Sequence, residues 1–145
     1  MDKNNEFSVA IYQDIEMALD TLTMLINKLK KRDNKIKDVI EQCIKGYEKH
    51  LKIIKTYMKD NNIDVVSVPL INKMGAYMGI NMEVIRDNSD SRVADMLIEG
   101  ITMGVLNTSK NISKYKRDVD KDLEIIAKDF LKHQEDSVEK LKKYL

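Results

Sequence analysis

Residues 91–108, SRVADMLIEGITMGVLNT, decide how the rest of this chain is read. The middle of the stretch is nearly all apolar, and Gly100 and Gly104 stand one helical turn apart with Met103 between them. Glycine costs a helix about 1 kcal/mol relative to alanine, so a helix that keeps two is expected to bring another backbone close. The stretch therefore predicts the central packing helix of a bundle. Upstream, Met74-Gly75 and Met78-Gly79 repeat the same step. Gly75, Gly79, Gly100 and Gly104 are read together as positions of close helix packing.

Working outward, the residues before this stretch fall into helical stripes. Phe7, Ile11, Ile15, Ala18, Leu22, Leu25 and Leu29 recur at steps of three and four, which lays one apolar face along a first helix from Glu6 to Lys31. Its basic end, Lys28, Lys30, Lys31 and Arg32, suits the negative pole of the helix dipole and reads as solvated charge. Asp33 or Asn34 is expected to cap the second helix. That helix carries Ile36, Ile40, Cys43, Tyr47, His50, Ile54 and Met58 on one face. So short a connection predicts an antiparallel pair.

Pro69 suits the first turn of a shorter third helix with Leu70, Met74, Tyr77, Asn81 and Ile85 on its face. Asp87 to Ser91 is a loop and cap signal before the central helix, which continues to about Tyr115. The acidic residues Asp118, Asp120, Asp122 and Glu124 open a last helix whose face holds Leu123, Ala127, Phe130, Gln134, Val138, Leu141 and Leu145. About thirty residues separate the second helix from the central one, enough to cross the length of such a bundle. The expected organisation is all-α, a single domain over residues 1–145: two antiparallel hairpins joined by a long crossover that contains a short extra helix. A four-helix bundle with one long crossover is the ferritin-like arrangement.

Composition narrows the function classes. Lys and Arg number 25 against 24 Asp and Glu, a net charge of +1, without the basic excess expected of a nucleic-acid binder. The one cysteine, Cys43, permits no internal disulfide and fits a reducing compartment; on its apolar stripe it reads as a small core residue. The opening MDKNNEFSVA lacks an apolar signal core, and no run approaches the roughly 18 apolar residues of a membrane span. A cytoplasmic protein that engages neither membrane nor nucleic acid is expected. Phosphate-binding glycine loops and a hydrolase nucleophile elbow are absent from the sequence.

The segment INMEVIRDNSDSRVADMLIEGITMGVLNTSKNISKY, the closing EKLKKYL and the early DIEMALDTLTMLINKL together resemble small uncharacterised ferritin-like bundle proteins of Firmicutes. The resemblance implies the fold and no established biochemical role. Active ferritin-like proteins hold two metal ions with one Glu from each of two helices and a Glu-x-x-His pair from each of the others. This sequence contains no Glu-x-x-His. Tyr47 and His50 stand at the middle of the second helix, and Gln134 and Ser137 at the middle of the last. Asp14, Glu16 and Asp20 fall mostly off the first stripe, and Glu99 beside Gly100 is alone. No cofactor is expected.

The residues Tyr47, His50, Gln134 and Ser137 are instead expected to form a buried polar cluster, either hydrogen-bonded within itself or serving as a small ligand pocket. His133, beside the stripe, is read as solvated. The nine methionines read as gap-filling core residues, with any exposed portion available for self-association. The leading expectation is a non-enzymatic structural or interaction module that forms a homodimer and carries a degenerate metal site. Its rivals are a di-iron or di-manganese oxidase or metal store using His50, Glu48, Glu99, Glu135 and His133, and a binder of a small ligand at the bundle centre.

Overall fold

The computed structural model describes residues 2–69 and 87–145. Among them are four helices and no strand: α1 (Lys3–Lys28), α2 (Lys37–Asp60), α3 (Asp90–Tyr115) and α4 (Lys121–Lys142). The expected short helix after Pro69, with Gly75 and Gly79, lies outside the described residues. α1 packs most extensively on α2 and α3 on α4, and the two pairs meet through α2 against α4 and α1 against α3.

Polar clasps at the two ends of the bundle fix the helix directions. At one end Asp120 caps α4 by accepting from the Leu123 N–H at 2.8 Å. The same side chain accepts from the Tyr57 hydroxyl of α2 at 2.6 Å and from Asn4 Nδ2 of α1 at 3.3 Å. Beside it the rings of Phe7 and Tyr115 stack with centroids 5.0 Å apart. At the other end Asn34, in the α1–α2 turn, donates to Asp90 Oδ1 at 2.9 Å and to the Asn88 carbonyl at 2.8 Å.

This second clasp replaces the expected cap. Ile36 holds the N-cap position of α2 and has no capping side chain. Its N–H and that of Lys35 point to the Asp90 carboxylate at 3.5 and 3.2 Å. Asn34 is committed to tying two segments together, and an acidic residue from α3 occupies the positive pole of α2 in its stead.

α2 ends beside the start of α4, whereas α3 starts beside the α1–α2 turn. The end of α2 is a Schellman motif: Asn62 takes φ +55°, and the N–H groups of Asn62 and Ile63 return to the carbonyls of Lys59 and Met58 at 3.2 and 2.8 Å. Asparagine tolerates this left-handed conformation better than other non-glycine residues. Ile63 is then buried, and Gln13 of α1 donates to the Val66 carbonyl at 2.9 Å.

The predicted stripes of α1 and α2 are buried, with Ala18 alone half-covered. On α4, Ser137 is buried, Val138 is half-buried and Leu145 is exposed beyond the helix end. α3 departs most from expectation. It buries Val93, Ala94, Leu97, Ile101, Thr108 and Tyr115 but leaves Gly100, Met103 and Leu106 exposed. It forms a half-covered wall of the bundle, not its centre. No described helix is long and apolar enough to cross a membrane.

Candidate functional site

The missing cover over Ala18 and Gly100 is a groove between α1 and α3. Its volume is about 360 Å³, and α1 contributes Asp14, Met17, Ala18, Thr21, Leu22 and Leu25 to its wall. α3 contributes Met96, Leu97, Gly100, Ile101, Met103 and Gly104, while Tyr47 of α2 and Gln134 of α4 reach in from the far side. The groove exists because small residues face it from both helices: Ala18 from α1, Gly100 and Gly104 from α3.

Gly104 and Gln134 form its tightest point. A Cβ on Gly104 would stand 2.9 Å from Gln134 Nε2, so the glycine leaves room for the amide. Gln134 is only 2 % exposed, and its Oε1 has no hydrogen-bond partner among the described residues. A Cβ on Gly100, by contrast, would meet nothing within 4 Å among the described residues. The expectation of close packing is corrected there: Gly100 faces the open side of α3, whereas Gly104, one turn on, faces α4.

Asp14 supplies the charge. Burial pushes its carboxyl up to about 6, against the opposing pull of Asn107, whose Nδ2 donates to Oδ2 at 2.9 Å. The Tyr47 phenol is held well above the ordinary tyrosine value, first by burial and then by Cys43 and Asp14 nearby.

The expected polar cluster divides in two. Tyr47 and Gln134 line the groove, but His50 faces the α2–α4 seam, where its ring lies 5.8 Å from Phe130 and 5.1 Å from His133 between centroids. No hydrogen bond joins Tyr47, His50 and Gln134 among the described residues. Ser137 returns its hydroxyl to the His133 carbonyl of its own helix at 2.8 Å and lies against the buried thiol of Cys43. Burial raises that thiol.

His133 is corrected most sharply. It is half-buried, edge-on to Tyr47 at 4.7 Å between ring centroids, and its Nε2 is enclosed without a partner among the described residues. Its imidazole fills the space over Gly46, where Nδ1 would stand 2.7 Å from a Cβ. Burial, followed by the neighbouring His50, pulls its pKa down to about 4; His50 is lowered for the same first reason.

This arrangement does not fit a two-metal centre. His50 and His133 meet, but Glu48, Glu99 and Glu135 are all exposed, and Phe130 packs against His50 where a carboxylate would be needed. Among the described residues no group of three or more His, Cys, Asp or Glu could hold a metal ion.

Asp14 is the groove residue that the stripe reading sets aside. Its signal is a second face on the first helix, Asp14, Met17, Ala18 and Thr21, at helical spacing next to the core stripe. Comparison with family models, curated proteins and solved structures finds nothing that matches this chain.

Proposed function

We propose that this chain is a non-enzymatic binding module, ferritin-like in connectivity, whose working part is the groove between α1 and α3. The observation that carries this reading is the Gln134 amide. A buried polar atom without a partner costs roughly 1–3 kcal/mol; Gln134 Oε1 has none among the described residues, and its side chain lines a preformed, largely apolar space. About 360 Å³ lies at the lower end of the range for ligand sites, roughly 300–1,000 Å³, and suits a small molecule with an apolar body and a hydrogen-bond donor. The ferritin-like reading is supported by the end of α2 and the start of α3 lying at opposite ends of the bundle.

The test is calorimetric titration with n-octanol, the simplest molecule of that description. One saturable site is expected, lost in Ala18→Phe, whose ring occupies the groove. Non-saturable uptake, or uptake unchanged in that variant, would place binding elsewhere and remove the proposal.

A second reading, the homodimer, is favoured by one feature of α3. Met103 and Leu106 are 72 % and 56 % exposed, and no described residue covers the backbone at Gly100, so a second copy of the helix could approach closely there. Sedimentation equilibrium is expected to give a dimer that Met103→Glu dissociates. A monomer at millimolar concentration would exclude it.

A further inference from the structure

The chemistry of the groove selects among small ligands, and this inference rests on the binding reading above. Asp14 is the one formally charged side chain among the described lining residues. An ionised carboxylate offers about four acceptor positions, and Asn107 takes one of them, at Oδ2. The second acceptor, Gln134 Oε1, is buried and has no partner among the described residues. The rest of the wall consists largely of apolar and small side chains, among them Met17, Leu25 and Met96. The site thus presents acceptors, one of them anionic, inside an apolar surround.

We propose that the groove binds small primary amines with an apolar body, the ammonium donating to the Asp14 carboxylate with Gln134 Oε1 as its second acceptor. Three considerations give this occupant over others. A buried charge is costly without a counter-charge, and among the described lining residues the groove supplies none. A carboxylate ligand would meet Asp14 as a like charge. A neutral alcohol satisfies Gln134 but forgoes the charge-assisted hydrogen bond, which is roughly twice as strong as a neutral one. The raised carboxyl of Asp14 accords with a group whose charged form is under-supported until a cation arrives.

The experiment compares n-octylamine, n-octanol and octanoate by calorimetry at about pH 7.5, on the wild-type chain and on Asp14→Asn. Octylamine is expected to bind roughly tenfold more tightly than octanol, the difference one charge-assisted bond makes, with octanoate weakest. Asp14→Asn should bring octylamine down to the level of octanol and leave octanol within about twofold. If octanol binds and octylamine binds no better, or if the preference survives in Asp14→Asn, the assignment to amines is overturned while the groove remains a site. If octanoate binds best, the charge argument is wrong in sign. If none of the three binds, the groove reading itself fails and the inference falls with it.

Discussion

The imidazole of His133 on α4 stands where Gly46 on α2 would carry a Cβ. This one substitution of hydrogen for carbon lets the Cε1 edge of a histidine press against a neighbouring helix while its ring reaches both Tyr47 and His50. Gly46 has no unusual backbone angle, so its role is space, not conformational freedom.

Gly46→Ala is therefore expected to destabilise the wild-type chain by about 1–3 kcal/mol, the usual cost of overpacking. In a His133→Ala background the sign should reverse, because alanine outranks glycine in a helix by about 1 kcal/mol once the ring is gone. Urea denaturation of the four proteins in this cycle measures both values. A substitution that destabilises equally in both backgrounds would deny the contact.

Gly100 and Gly104 should separate in the same assay. Gly100→Ala meets no atom of the described residues and gains helix propensity, so it should stabilise dilute protein by up to about 1 kcal/mol. Gly104→Ala must displace the Gln134 amide inside the groove and should be neutral or destabilising. Equal stabilisation by both would mean that Gln134 does not lie over α3.

Asp120 is expected to behave as more than a cap. Losing a capping side chain costs about 1 kcal/mol, but Asp120→Ala also removes the acceptor of the part-buried Tyr57 hydroxyl, so about 1–2 kcal/mol is expected. Asp2, which caps α1 through a 2.7 Å bond from the Asn4 N–H at an exposed end, gives the comparison at about 1 kcal/mol or less. Matching losses in thermal unfolding would show that the clasp to α2 contributes nothing.

Two groups should give opposite pH dependences. Asp14 is raised to about 6 from 3.8, so the folded chain binds its proton more tightly than the unfolded chain. Its contribution to stability is present below about pH 3.8 and is lost as the pH rises through about 6. Asp14→Asn should thus stabilise the protein by about 1–2 kcal/mol at neutral pH, a discount on the full shift for partial exposure, and little near pH 4. His133 is lowered to about 4 from 6.5, so its contribution is present above about pH 6.5 and is lost as the pH falls through about 4. His133→Gln should flatten that acid limb. Urea midpoints measured across this range would contradict the assignment if Asp14→Asn helped most in acid.

Much of the fold is legible in the residues. The stripe from Ile36 to Met58 is buried because a 3.6-residue period puts those side chains on one face whatever they pack against. The caps Ser89 and Asp120 likewise depend on local geometry. What resists reading is rotation and partnership between helices. Gly100 and Gly104 look alike in a sequence, and only the rotation of α3 against α4 makes one open and the other filled. His133 lies one residue off its stripe and turns inward because Gly46, far away in the chain, leaves it a place. Asp14 is likewise set apart from the core stripe, yet it lines the groove because the small side chains of Ala18, Gly100 and Gly104 leave the space between α1 and α3 unfilled at that level. Asp90 serves the start of α2 by crossing a turn that no local capping rule includes.

The central claim is that a small molecule enters between α1 and α3, and methionine-methyl NMR tests it most directly. Met17, Met96 and Met103 line the groove, while Met58 is 1 % exposed in the core outside it. Titration with n-octylamine should shift the three groove methyls along one saturable curve and leave Met58 in place. Still groove methyls, or a drift of Met58 along with them, would contradict the account.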